Sequence, residues 1–335
     1  MIKGGNIMNY LNKPLDTGKL LLKNRLIMPP MATAKSGIDG RISKDILDYY
    51  DEKSRGGYIS LIIIEHSFVS QQGKASNNQV SIAQESMVED LKKLAEIIHK
   101  NGCKTIMQIN HAGSAANVEV TGMEIVGPSA VPNPFGTGMP PKELQKNEIK
   151  TIVNEFKEAA LRVKNAGFDG VEIHSAHGYL LNQFLSPITN KRQDEYGGDI
   201  TGRIKIHRDI VKNVREAVGE SFPIFMRLGA SDYMDGGLTI EDSKLAAQQL
   251  EKTGVDVLDI SGGLCRYTIP GVNEEGYFTP LSKAIKEVVS IPVIVTGGII
   301  HAKTADEILS RGEADLIGVG RAIYKDSDWA RNAMK

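Results

Sequence analysis

The stretch "DGVEIHSAHGYLLNQFLSP", residues 169–187, is the key to the fold. Its first seven residues read as a short strand around Val171 and Ile173. At the strand's C-terminal end His174 and His177 stand three apart, Tyr179 follows two residues later, and an apolar run comes next. These side chains are metal ligands, satisfied loop residues, or proton donors aimed at one substrate atom. The choice depends on where the strand sits.

Working outward, seven more runs have the same character: residues 24–30, 60–67, 104–110, 223–229, 255–261, 292–298 and 314–320. Several are apolar on both faces, as strands buried between a core and a helix layer should be. Helical patterns separate them. Residues 148–165 put Ile149, Ile152, Val153, Phe156, Ala159, Ala160 and Val163 on one stripe, and residues 87–100 do the same with Met87, Leu91, Leu94 and Ile98. Ser86 with Glu89 suggests a capping box, and Thr279 before Pro280 an N-cap followed by proline.

Eight βα units predict an α/β fold of the (β/α)₈ TIM-barrel type, one domain over residues 1–335. The rival, a doubly wound open sheet, lacks a GxGxxG fingerprint after the first strand. A short cap over about residues 1–22, continuing as "LNKPLDTGKLLLKNR" (11–25), would close the N-terminal end of the barrel. Long loops follow strand three (111–145) and strand four (176–201), and loops of that length in a compact domain are usually functional.

Composition narrows the function. The chain has 335 residues, with 40 basic against 41 acidic, so nothing favours nucleic acid or an anionic membrane surface. Cys103 and Cys265 are the two cysteines, and neither belongs to a CxxC or Cys/His cluster; they are expected to be reduced thiols. No signal-peptide core or membrane-length apolar run is visible, so the expected location is the cytoplasm. A homo-oligomer is neither required nor excluded.

In a TIM barrel the chemistry sits at the C-terminal strand ends. Strand one delivers Pro29, Pro30, Met31 and Ala32; strand two, Glu65 and His66; strand three, Gln108, Asn110 and His111; strand five, Arg227. Strands seven and eight deliver "TGGI" (296–299) and "GVGRA" (318–322), where Gly298, Gly320 and Arg321 suggest a phosphate site. For the histidines three readings stand. A metal would need a third ligand such as Glu65 or His111, and HxxH alone is a weak signal, so no metal is assigned. Each histidine could instead satisfy loop backbone. Or His174 and His177 are two N–H donors converging on one carbonyl oxygen, with Tyr179 supplying a proton to the resulting enolate.

These residues resemble the Old Yellow Enzyme family of FMN-dependent ene-reductases, in the segments "LKNRLIMPPMAT" (22–33), "MQINHAG" (107–113), "FDGVEIHSAHGYLLNQFLSPITNKRQDEYGG" (168–198), "MRLGASDY" (226–233) and "ADLIGVGRA" (314–322). The bacterial branch of enoate and dienoyl-CoA reductase barrels looks nearest. Those relatives carry an iron–sulfur segment and further domains, which the cysteines here do not support, so a stand-alone barrel is expected. The resemblance implies that Pro29, Pro30, Met31, Ala32 and the His66 backbone line the flavin. It implies that Gln108 meets the pyrimidine edge, that Arg227 lies near flavin N1, and that Gly298, Gly320 and Arg321 hold the phosphate. It further implies that His174 and His177 bind the substrate oxygen, that Tyr179 is the proton donor, and that NADH or NADPH reduces tightly bound FMN in a ping-pong cycle ending on an activated alkene. The alternatives are a metal-dependent hydrolase or lyase using the His174/His177 pair, and a non-catalytic FMN-binding protein. Ala32, Ala34 and Ser114 depart from the family's commoner residues, and Arg331 is not assigned the role of completing a neighbour's site.

Overall fold

In the computed structural model, which describes residues 9–335, eight parallel strands close into a barrel. They are β1 Leu26–Met28, β2 Leu61–Phe68, β3 Lys104–Asn110, β4 Val171–Ser175, β5 Ile224–Gly229, β6 Val257–Ser261, β7 Val293–Thr296 and β8 Leu316–Gly318. Each pairs with its neighbours in the sequence, and β8 pairs back onto β1. All eight predicted runs are strands of this sheet.

Helices alternate with the strands. α1 (Lys44–Ser54), α2 (Val88–Lys100), α3 (Lys146–Asn165), α4 (Lys205–Val218), α5 (Ile240–Thr253), α6 (Thr279–Lys286) and α7 (Ala302–Ser310) cover the sheet. The α3 stripe expected from the sequence is buried in full, and Gln145 N–H donates to Glu148 Oε2 at its start.

Two helix starts differ from expectation. Ser86 lies inside a 3₁₀ turn, Glu85–Met87, that runs straight into α2, so the Ser86/Glu89 capping box does not form. The buried Met87 side chain draws that turn onto the core and overrides the local capping preference. At α6, Phe278 takes the N-cap position and Thr279 is already helical, with Pro280 one place further in. Phe278 is fully buried, and that anchor sets where the helix enters.

The barrel interior has two levels. The lower is apolar: Ile27, Leu61, Ile63, Ile106, Phe225, Val257, Ile294 and Leu316 pack with Leu20 and Leu22. The last two belong to an antiparallel pair, Leu15–Asp16 with Leu21–Leu22, so the segment 11–25 plugs the N-terminal end as expected. The expected cap begins at residue 1; its first eight residues lie outside the described residues.

The two long loops are not structureless. The first holds the turns Gly113–Ala115 and Val118–Thr121 and a parallel pair, Val126–Gly127 with Lys142–Glu143. The second opens with a buried helix, Leu180–Leu185. Gln183 locks the two together: its Oε1 accepts from Ser114 N–H at 3.0 Å, and its Nε2 donates to Ala112 O and Gly178 O at 3.0 and 2.7 Å. Ser114 is thus a buried tie between the loops, its Oγ accepting from Asn133 at 3.3 Å.

Candidate active site

β4 points Glu172 and His174 into the barrel, as its period-two alternation requires. The chain then turns sharply. His177 takes a left-handed backbone (φ 62°) and Gly178 another (φ 77°). A non-glycine residue in that region is uncommon, and histidine is among the types enriched there. His177 is held by its N–H, which donates to Gly262 O at 3.2 Å. The turn folds the loop back over the strand end, and Tyr179 follows as the N-cap of Leu180–Leu185.

The three expected catalytic side chains converge. The His174 and His177 ring centres are 5.1 Å apart and edge-on, and those of His174 and Tyr179 are 5.2 Å apart. His66 joins them with its side chain, stacked on Tyr179 at 5.3 Å. Gln79 Nε2 donates to His66 Nδ1 at 2.9 Å and fixes that ring.

Burial pushes the His174 and His177 imidazoles well below the ordinary histidine range, and the positive charge of Arg227 pushes the same way. Both are therefore neutral near pH 7, and each carries one N–H. In His174, Nδ1 is enclosed without a partner, which leaves Nε2 as the nitrogen that can serve a ligand. Burial raises Tyr179, so its phenol keeps its proton, although the nearby Arg266 charge opposes the shift. Burial likewise lowers His66, to about 4.

Below the rings lies the polar level of the barrel. Gln108 Nε2 donates to Glu172 Oε1 at 2.7 Å, Arg227 Nε sits 3.4 Å from Asp259 Oδ2, and Thr296 Oγ1 donates to Asp259 Oδ1 at 3.3 Å. All of these but Thr296 are buried. Desolvation raises both carboxyl groups, against the pull of Arg227. Arg227 Nε and the second oxygens of Glu172 and Asp259 are enclosed without hydrogen bonds.

The expected phosphate residues also meet. Gly320, the N-cap of a short helix Arg321–Lys325, lies so close to Met31 that a Cβ there would come within 2.7 Å of its sulfur. Gly298 (φ 65°) packs on Tyr277, whose hydroxyl accepts from Arg321 Nη2 at 2.9 Å. The N–H groups of Gly298 and Gly320 make no hydrogen bond among the described residues. Pro29 is buried; Pro30 and Met31 are half-buried, and Ala32 is exposed.

This donor set fits FMN: free backbone N–H groups and an arginine for a phosphate, and a buried guanidinium whose Nε makes no hydrogen bond for an electron-rich ring edge. It does not assemble a metal site. The Glu65 carboxylate is taken by the Thr33 N–H and hydroxyl, and His111 is buried with its Nδ1 accepting from Gly113 N–H at 3.1 Å. Among the described residues no three His, Cys, Asp or Glu side chains group as ligands.

Residues 10–335 match the family described as NADH:flavin oxidoreductase / NADH oxidase. The chain belongs to that family. It is 41% identical over 322 residues to an NADH oxidase of Thermoanaerobacter brockii, and 36% identical over 330 residues to a metal reductase of Desulforamulus reducens. Those alignments take in 94% and 98% of this chain but 49% of each relative, so the chain spans about half the length of the curated relatives it matches. Solved structures agree. A 2-naphthoyl-CoA reductase in complex with 2-naphthoyl-CoA superimposes with TM-score 0.91 at 27% identity, over 97% of this chain and 52% of the other. The old yellow enzyme homologue of Zymomonas mobilis gives 0.84 at 28%, covering 96% and 91%; morphinone reductase gives 0.85 at 26%, covering 98% and 90%. The Old Yellow Enzyme resemblance therefore holds, and with it FMN as cofactor. Among the described residues no helix is long and apolar enough to cross a membrane, and both cysteines are free thiols.

Sequence reasoning passed over several residues of the site: Ser261 and Asp259 on β6, Glu172 on β4, Gln79, and Arg266 with Tyr267 in the loop after β6. The Tyr267 ring lies 6.1 Å from that of His177. Alternation from Val257 marks Asp259 and Ser261 as inward-facing, so the signal for those two was present.

Proposed function

We propose that this barrel reduces the C=C bond of α,β-unsaturated carbonyl compounds with NADH or NADPH. The observation that carries the reading is the convergence of two neutral imidazoles and a protonated phenol at one strand end. Bound FMN supplies the two-electron chemistry between nicotinamide and alkene. Pro29, Pro30, Met31, Ala32 and the His66 backbone would line it, Gln108 and Arg227 would hold its pyrimidine edge, and Gly298, Gly320 and Arg321 would hold its phosphate.

His174 and His177 each donate an N–H to the substrate carbonyl oxygen and stabilise the negative charge that gathers there as Cβ is reduced. Two such donors contribute several kcal/mol to the barrier, on the order of 3 each. Tyr179 then gives its proton to Cα. One mouth serving both substrates in turn gives ping-pong kinetics.

The test is anaerobic. Purified holoprotein is reduced with NADH or NADPH, the excess is removed, and cyclohexenone, a nitroalkene, an enoate and an unsaturated acyl-CoA are added separately. The last is included because one structural relative is a reductase bound to an aromatic acyl-CoA. Rapid return of the oxidised flavin spectrum with at least one alkene is expected. No reoxidation by any of the four would leave a flavin-binding barrel without this activity.

A further inference from the structure

Ser261 closes β6 and is almost fully buried. Its Oγ lies 2.8 Å from His177 Nε2 and has no other hydrogen-bond partner among the described residues. His177 Nδ1 makes no hydrogen bond there, and it is not enclosed, so it is the nitrogen left for a ligand.

The contact admits two arrangements. If His177 Nε2–H donates to the serine, the serine's own proton is buried without an acceptor, and Nδ1 faces the mouth as a bare lone pair. If the serine hydroxyl donates to Nε2, every group in the contact is satisfied, and the ring's single proton sits on Nδ1. Buried hydroxyl donors are rarely left unpaired, which selects the second arrangement. The hydrogen bond made by one ring nitrogen fixes the state of the other.

We propose that Ser261 is a positioning residue: by donating to His177 Nε2 it keeps the proton on Nδ1, the nitrogen that meets the substrate oxygen. His174 then works as the opposite tautomer, because its enclosed nitrogen is Nδ1 and its available one is Nε2. The two imidazoles thus present different atoms to the same oxygen. Because neutral imidazole without a substrate oxygen has no use for a chosen tautomer, the purpose assigned here rests on the alkene reading; the tautomer itself does not.

Nitrogen NMR on the holoprotein labelled with nitrogen-15 histidine reads the tautomer directly, with His177→Gln assigning the signals. The wild-type His177 should show a protonated, pyrrole-type Nδ1 and a pyridine-type Nε2. Ser261→Ala should move part or all of the proton off Nδ1, and Ser261→Thr, which keeps a hydroxyl, should hold it there. In kinetics, Ser261→Ala should slow alkene-driven reoxidation by about tenfold or more relative to its effect on nicotinamide-driven reduction, with Ser261→Thr recovering most of the loss. A wild-type pyrrole-type Nε2, or a tautomer unmoved in Ser261→Ala, overturns the proposal. If the tautomer behaves as stated but no alkene reoxidises the flavin, the alkene reading fails and the assignment of the ring survives.

Discussion

The lower level of the barrel interior and the level just above it are built by the same strands. Below, Ile63, Ile106, Phe225, Val257 and Ile294 pack as closed hydrocarbon against the cap. One pleat higher, the strands turn in Gln108, Glu172, Arg227 and Asp259, and three of their buried atoms lack hydrogen bonds. The first arrangement is complete in itself. The second is a set of charges held at a cost in stability, of the kind a native chain keeps where a bound group or a reaction uses them. The comparison teaches that stability and chemistry are divided along the barrel axis, and each variant below is expected to disturb one and spare the other.

The largest separation is expected at the top. Tyr179→Phe removes one proton donor and little packing. Alkene-dependent reoxidation should slow by roughly 10²–10⁴-fold, while reduction by nicotinamide changes far less; stopped-flow absorbance at the flavin band reads both. Equal slowing of the two halves would break the assignment of Tyr179 as proton donor.

Phe225→Ala is the mirror experiment at the bottom. Phe225 is fully buried, and its loss should lower stability by about 3–5 kcal/mol in denaturant unfolding. The flavin spectrum of the fraction that remains folded should be unchanged. A shifted spectrum would mean that the two levels are mechanically coupled.

The third prediction uses pH. Burial pushes the Glu65 carboxyl up to about 7 from 4.5, despite the Thr33 N–H and hydroxyl that favour its charged form. A carboxyl whose folded value is raised holds its proton longer in the folded chain than in the unfolded one. Its contribution is therefore full below about pH 4.5 and is lost as pH rises toward 7, by up to about 3 kcal/mol at ~1.4 per unit. Glu65→Gln should remove this slope, so that wild type and variant diverge with rising pH in stability measured from pH 4.5 to 7. The apolar level has nothing to titrate, and Phe225→Ala should show the wild-type slope.

How legible this division was from the sequence differs between strands and loops. Strand existence and order followed from runs such as "SLIIIEHS", because a strand covered on both faces must be apolar nearly throughout. The convergent trio His174, His177 and Tyr179 was legible for a related reason, since polar residues at the end of such a run stand out. Ser261 and Asp259 carried the same signal on β6 and were passed over, because no histidine or arginine drew attention to that strand. Other parts could not be read locally. The stacking of His66 on Tyr179, the Gln79 contact and the position of Arg266 are set by loops whose course is decided by distant ties, such as Gln183 to Ser114 and His177 N–H to Gly262. Helix starts failed for a similar reason: buried Met87 and Phe278 outweighed local capping chemistry.

The smallest expected effect tests the rim of the upper level, at the exposed Ala32. In the family resemblance this position lies near flavin O4 and often carries Cys or Thr. An alanine methyl cannot donate a hydrogen bond. Ala32→Thr restores a donor worth roughly 1 kcal/mol net, and because reduction gathers negative charge on the ring, the bond strengthens on reduction. For a two-electron couple that is a rise of about 20 mV in midpoint potential, readable by titration against a reference dye. Since Ala32 is outside the packed interior, thermal stability should stay within about 0.5 kcal/mol of wild type. A potential that is unchanged or lower would place residue 32 away from the ring edge, and the register of the Pro29–Ala32 segment over the flavin would have to be redrawn from β1 outward.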